Sequence, residues 1–279
     1  MPYAVLLQDL LHEAHAELLA AERPLAVQDV ARCLFGPNRH EDPVTAIVVR
    51  LMLQSDPRFL RTHGGRWSAC AAACMARPLE STDFVVVDLE TTGSVLGVDE
   101  VIEIGALRLR AGKVTDRFTS LVRSTRALPI WVRRLTGIRS ADLRSAPVFA
   151  EVAPDLTALL DGAVFVAHDL RFDLPFLKWE FSRHGLVMPD VIGVCTLQLS
   201  RLLWPELSSR RLSALSRHFG VVHARPHRAE ADAEATAEIL QLALTRAADL
   251  NLRDLGDLFA GSLPGNLARS HDLAARAAG

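Results

Sequence analysis

Apolar positions recur with a helical period early in the chain and change to strand-like runs after residue 83. Leu6, Leu7, Leu10, Leu11, Ala14 and Leu18 line one side of an amphipathic helix. Pro24 opens a second helical segment, LAVQDVARCLF, which Gly36 closes. A third helix is predicted after Pro43, with Ile47, Val48, Leu51 and Met52 on one face. Two short extended runs flank Gly64-Gly65 and read as a hairpin. This is the order of a winged helix-turn-helix, and equally of a small helical packing or dimerisation module. The pattern predicts a winged-helix-like domain over residues 1–67. The small, aperiodic stretch SACAAACMARPLEST, residues 68–82, is predicted to be a linker.

From Phe84 the pattern changes. FVVVDLE is a continuous apolar run ending in two carboxylates, as expected of a buried central strand with functional groups at its C-terminal end. VIEIGALRLR (101–110) and KVTDRFTSLV (113–122) read as strands joined by an Ala111-Gly112 turn, and AVFVAH (163–168) as another. Helical segments are predicted near 129–136, 148–160, 173–184, 195–204, 212–219 and 229–247. The expected architecture over 83–248 is α/β, a mixed sheet flanked by helices. Residues 249–279, with Gly261, Pro264 and Gly265, read as a loop-like, partly disordered tail.

Composition narrows the function classes. A chain of 279 residues fits about two domains, and 49% hydrophobic residues exclude a wholly disordered chain. No apolar stretch approaches the ~20 residues of a membrane span. The N-terminus lacks a basic region and carries Asp9, Glu13 and Glu17, unlike a signal peptide. Cys33, Cys70, Cys74 and Cys195 fit no zinc spacing and read as reduced thiols of a cytoplasmic protein. A net charge of -2 taken alone argues against a nucleic-acid partner. Yet residues 108–144 hold ten basic and two acidic residues, +8, which leaves -10 for the rest. Such a band is the footprint of phosphate contacts. Arg133, Arg134 and Arg139 are the candidates to approach a strand.

Four acids occupy positions where acids are costly. Asp88 and Glu90 are two apart on the apolar strand and so share a face. Asp173 follows the run FVAH, and Asp232 lies in a helix among Ala229, Ala231, Ala233 and Ala235. Carboxylates that converge without counter-charge repel one another and take up protons. Hard divalent cations such as Mg²⁺ or Mn²⁺ relieve this. Two of them about 3.5–4 Å apart can hold the attacking and leaving oxygens of a phosphodiester. His227, five residues before Asp232, is a candidate proton acceptor. Each residue alone also has an ordinary structural reading, such as a helix cap for Asp173.

Three motifs occur in order: Asp88-Leu89-Glu90-Thr91-Thr92-Gly93, then Val166-Ala167-His168-Asp169-Leu170-Arg171-Phe172-Asp173, then His227-Arg228-Ala229-Glu230-Ala231-Asp232. They resemble the motifs of the DEDDh exonucleases, in the DnaQ-like branch of the polymerase III epsilon proofreading type. LTGI at 135–138 and Ala146-Pro147 are similar to its connecting segments, and the resemblance covers about 83–245. It implies an RNase H-like fold and stepwise 3′→5′ hydrolysis to nucleoside monophosphates. It implies that Asp88, Glu90, Asp173 and Asp232 hold two divalent ions, with Asp88 as the bridge and His227 as general base. Thr91, Thr92, Gly93, Leu135, His168 and Asp169 are the expected substrate-binding residues. Trp131 and Leu135 are candidates to wedge or stack against terminal bases, with simple core packing as the equal alternative. Asp169 stands where the family has Asn, which adds a negative charge beside the site.

The substrate implied is single-stranded DNA or a DNA 3′ end, in proofreading or repair, with RNA trimming as the alternative. A polymerase or other protein partner is expected at the N-terminal domain, and no membrane. The other class is an adaptor that keeps the fold without catalysis. Such a protein should have lost a carboxylate or the histidine, and this chain retains all five.

Overall fold

Leu11, Ala14 and Leu18 turn one side of helix α1 (Pro2–Ala20) inward, at the predicted spacing. They pack with Val27, Val30 and Ala31 of α2 (Val27–Phe35) and Val49, Met52 and Leu53 of α3 (Pro43–Gln54). The antiparallel strands β1 (Phe59–Arg61) and β2 (Trp67–Ala69) add Phe59 and Trp67 to this core. Leu25 and Trp67 exchange two backbone hydrogen bonds of 2.7 Å. The structure is a computed structural model that describes residues 2–21, 23–37, 42–54, 56, 58–61, 65–69 and 75–262. Gly64 of the expected turn, Cys70, Cys74 and residues 263–279 lie outside the described residues.

The inward face of α3 differs from expectation. Only Met52 of the four predicted residues is buried, while Ile47, Val48 and Leu51 are 52%, 50% and 60% exposed. This helix is apolar on more than one stripe, so its period does not choose a face. The core shared with α1, α2 and the hairpin takes up Val49, Met52 and Leu53.

The chain divides into two compact units, Glu80–Arg246 and Met1–Leu79 with Ala247–Gly279. The stretch 68–82 is more than a connector. It begins in β2, forms a bridge from Pro78 to Asp254 and ends in a 3₁₀ turn at Leu79–Ser81. The chain after 249 is likewise not all loop. A terminal helix, Leu255–Ser262, buries Leu255, Leu258 and Phe259, and the Leu79 N–H donates to the Arg253 carbonyl at 2.9 Å. Gly261, one of the expected loop signals, lies in the last turn of this helix, while Pro264 and Gly265 lie outside the described residues.

In the second unit, β3 (Phe84–Thr91) is the middle strand of five, with apolar residues on both of its faces. It pairs antiparallel with β4 (Val101–Arg110), which pairs antiparallel with β5 (Lys113–Leu121). The β4–β5 turn places Ala111 and Gly112 at φ 48° and 70°, the left-handed conformations of a tight hairpin. Helices α4 (Ile130–Thr136), α5 (Ser140–Ser145) and α6 (Phe149–Leu160) follow. Then β6 (Val164–Ala167) pairs parallel with β3. Next come α7 (Leu170–Arg183), β7 (Gly193–Cys195), α8 (Thr196–Leu203), α9 (Leu212–Phe219) and α10 (Ala229–Asp249).

The strand order is β5-β4-β3-β6-β7. The three-residue β7 and the six-residue α5 escaped the sequence pattern because neither is long enough to show a period. Val85, Val87 and Leu89 pack with Phe149, Leu156, Phe176 and Phe181 of α6 and α7 on one face of the sheet. The opposite face carries Asp88 and Glu90. Among the described residues no helix is long and apolar enough to cross a membrane.

Candidate active site

Asp88 and Glu90 face the same way from β3, beside Gly105 and Glu103 of β4 in register. The register slips by one residue between Glu90 and Thr91, a bulge at the rim of the site. Gly105 lets the start of α10 lie directly on the strand. A Cβ at Gly105 would fall 2.2 Å from the Ala229 carbonyl oxygen. Asp232, in the first turn of α10, is thereby brought to the carboxylate face, 8% exposed. Asp173, in the first turn of α7, is 5% exposed, and its Oδ1 accepts the Leu89 N–H at 3.2 Å. One ligand atom each of Glu90, His227 and Asp232 lie within 4.8 Å of one another. His227 itself is exposed, with φ 64°, a left-handed backbone that histidine tolerates better than most residues.

The electrostatics follow from this crowding. Burial, and then the charges of Asp232, Glu103 and Asp173, push Glu90 up to about 8, against the pull of Arg228. Burial also pushes Asp173 up to about 8, although backbone N–H donors favour its charged form. Asp88 is raised well above the usual carboxylate range by burial and by Asp173, Asp232 and Glu90. A protein alone must protonate such a set, whereas divalent cations restore the charged form. The donors are all carboxylate oxygens with one imidazole, a set that suits hard divalent ions.

The other predicted site residues have definite partners. Thr92 Oγ1 donates to Asp99 Oδ1 at 2.9 Å and accepts the Glu100 N–H at 3.0 Å, so its hydroxyl ties the 92–100 loop. Thr91 Oγ1 donates to the Gly93 carbonyl. A Cβ on Gly93 would lie 2.4 Å from Asp99 Oδ2, so only glycine admits that carboxylate. His168 was expected at the substrate. Its Nδ1 meets Thr196 Oγ1 and its Nε2 meets the Arg210 carbonyl, both at 2.9 Å, which leaves neither ring nitrogen for a nucleotide. Asp169 caps α7 and takes a two-pronged ion pair from Arg171 at 3.0 and 2.9 Å, which offsets the extra charge.

On α4, Trp131 and Leu135 are exposed, 57% and 45%, and so are Arg133 and Arg134. Those two guanidiniums pair with nothing among the described residues. Much of the basic band is spent internally. Arg110 pairs with Asp83, Arg117 with Glu234, and Arg139 with Asp142. Arg139 therefore leaves the expected subset.

Two neighbours of the site were not singled out by the sequence. Glu103, 1% exposed, is held by Arg228 Nε at 3.0 Å and by the Ala229 N–H at 3.0 Å. Its only signal was an acid inside the apolar run VIEIG. The His223 imidazole hydrogen-bonds Asp232 Oδ1. Nothing in the local sequence separates His223 from a surface histidine.

Comparison with known proteins agrees with this geometry. The family model described as Exonuclease (RNase_T) matches residues 85–240, more than half of the chain. The chain belongs to the exonuclease family. The match spans all three motifs and, apart from Phe84, all five strands of the sheet, and exonucleases of this RNase H-like fold use divalent metal ions.

Among its relatives, the 3′-5′ exonuclease DinG of Bacillus subtilis (strain 168) is 39% identical over 157 residues, 56% of this chain and 17% of that protein. The PolC-type DNA polymerase III of Caldanaerobacter subterraneus is 35% identical over 176 residues, 63% of this chain and 12% of that protein. The chain spans less than a fifth of the length of these two relatives. Escherichia coli exonuclease I, solved with a dT13 oligonucleotide, shares the fold with a TM-score of 0.55 at 22% identity, over 61% of this chain and 43% of that one.

Proposed function

We propose that this member of the exonuclease family is a divalent-metal-dependent 3′→5′ exonuclease that removes nucleoside monophosphates from DNA. The observation that carries the reading is the meeting of Glu90, His227 and Asp232 within 4.8 Å, beside Asp88 and Asp173. Asp88, Glu90, Asp173 and Asp232 would hold two divalent ions, Mg²⁺ or Mn²⁺. The ions would supply charge to stabilise the phosphodiester in its transition state and the leaving 3′ oxygen. His227 would take the proton from the attacking water, and its exposed position at the rim supports that role.

Thr91, Thr92 and Gly93 would shape the floor under the terminal nucleotide through their backbone, because the threonine hydroxyls are already engaged. Trp131 and Leu135 would stack on or wedge terminal bases, and Arg133 and Arg134 would meet phosphates. DNA is favoured because a relative 35% identical is a DNA polymerase III. Proofreading or repair in the cytoplasm would be the setting. The aliphatic residues exposed on α3 favour a polymerase or other protein partner for the N-terminal unit.

The test is a strand-polarity assay on matched DNA and RNA oligomers, labelled at the 5′ end, with Mg²⁺, Mn²⁺ or EDTA. A ladder shortening from the 3′ end of DNA, stopped by EDTA, is expected. No metal-dependent shortening of either polymer would overturn the reading, and faster loss of RNA would overturn the substrate.

A further inference from the structure

Asp232 is the one proposed ligand whose two oxygens are each held from the chain segment just before it. Oδ1 bonds to His223 Nε2, and Oδ2 accepts the His227 N–H at 3.1 Å. His223 stands on the connection between α9 and α10, with its side chain 9% exposed. The bond therefore closes the segment 223–232 into a loop that contains His227, whose backbone is left-handed at φ 64°. Each carboxylate oxygen has two lone pairs, so these two donors leave one on each oxygen for a cation.

We infer that His223 is a positioning residue of this site: its Nε2–H fixes the orientation of the Asp232 carboxylate and, with it, the loop that presents His227. The inference rests on the exonuclease reading of the cluster. Without the His223 bond, Asp232 could rotate about its side chain, and negative neighbours on β3 would drive it away. Glu90 and Asp88 both feel its charge. A buried N–H donor at Oδ1 opposes that rotation whether or not a cation is bound. Donors that orient ligating carboxylates typically change metal affinity about 10- to 100-fold when removed.

The test is Mn²⁺ binding to the full chain by titration calorimetry, without nucleic acid, for His223→Ala, His223→Gln and His223→Asn. The glutamine amide nitrogen reaches the place of Nε2, whereas that of asparagine reaches the place of Nδ1. Mn²⁺ affinity should fall about 10-fold or more in His223→Ala and His223→Asn, and His223→Gln should recover most of it. Thermal unfolding in EDTA checks that each variant is folded. Should His223→Ala fail to fold, the glutamine–asparagine pair decides.

Unchanged affinity in folded His223→Ala, or equal loss in the glutamine and asparagine variants, would overturn the inference. If Mn²⁺ affinity depends on His223 as stated but the wild-type protein degrades no polymer, the exonuclease reading falls and this one stands.

Discussion

Glu103 and Arg228 form an ion pair between the second sheet strand and the start of the helix that carries Asp232. The guanidinium donates through Nε at 3.0 Å and through Nη2 at 2.5 Å, and the Ala229 N–H adds a third donor to the same carboxylate. The pair sits one residue after His227 and directly across from Glu90. It fixes the third motif to the first through a residue that belongs to none of the three motifs. Glu103→Gln is expected to cost about 2 kcal/mol in urea unfolding, less than the ~3–5 of a fully buried pair, because Arg228 keeps about a third of its side chain in water. Turnover should drop more than substrate affinity, since the geometry of His227 and Asp232 is what shifts. An unchanged kcat would show that the pair serves stability alone.

Gly105→Ala tests the same contact by steric means. The new methyl would lie 2.2 Å from the Ala229 carbonyl oxygen and 2.6 Å from the Glu230 nitrogen, both backbone atoms. The helix start must move away from Asp88. A stability loss of about 1–3 kcal/mol is expected from overpacking. Mn²⁺ binding measured by calorimetry should weaken in the folded variant.

Asp88→Asn separates chemistry from stability. Asp88 is buried among Asp173, Asp232 and Glu90 and is forced well above its ordinary range. The amide should abolish metal-dependent hydrolysis. It should also raise the melting temperature of the metal-free protein in alkaline buffer, because an amide, unlike the carboxyl, carries no charge that burial must suppress. A lower melting temperature under those conditions would contradict the crowding described for the site.

The pH dependence has a definite sign. Glu90 and Asp173, ordinarily near 4.5 and 3.8, titrate at about 8 in the folded, metal-free protein. Between those limits the folded state binds more protons than the unfolded chain, so stability falls as pH rises toward 8. Glu100 works in the opposite sense. Against the cost of its burial, Ser124, Thr125 and Arg183 hold it at about 2, and its contribution is lost as pH falls from about 4.5. Melting curves in EDTA should therefore peak at mildly acidic pH. Added Mg²⁺ should flatten the alkaline decline.

Arg133→Ala and Arg134→Ala should weaken single-stranded DNA binding without altering kcat. Each should reduce the slope of log affinity against log salt by about 0.7, as expected for one phosphate contact on a single strand. Arg139→Ala, whose charge is already paired with Asp142, should leave that slope unchanged. Fluorescence anisotropy across a salt series in EDTA reads all three.

Much of the site was legible because its signals are local. A DxE pair ends an apolar run, an acid follows a second such run, and HxAxxD opens an alanine-rich helix. The lengths of β4 and β5 and the turn at Ala111-Gly112 were legible for the same reason. The inward face of α3 was not, since a helix apolar on several sides leaves its orientation to its neighbours. The partners of His168 and the pairing of Arg139 were also hidden, because a side chain's hydrogen bonds depend on what folds up beside it.

The sequence by itself determined the strands and helices that carry Asp88, Glu90, Asp173 and Asp232, since each element's type is set by the spacing of its own residues. Only the tertiary structure decided that the start of α10 rests on Gly105, that Glu103 and Arg228 lock it there, and that His223 rather than a surface contact holds Asp232. Those relationships join residues up to 125 positions apart. They exist only once the sheet has brought β4 beneath the helix.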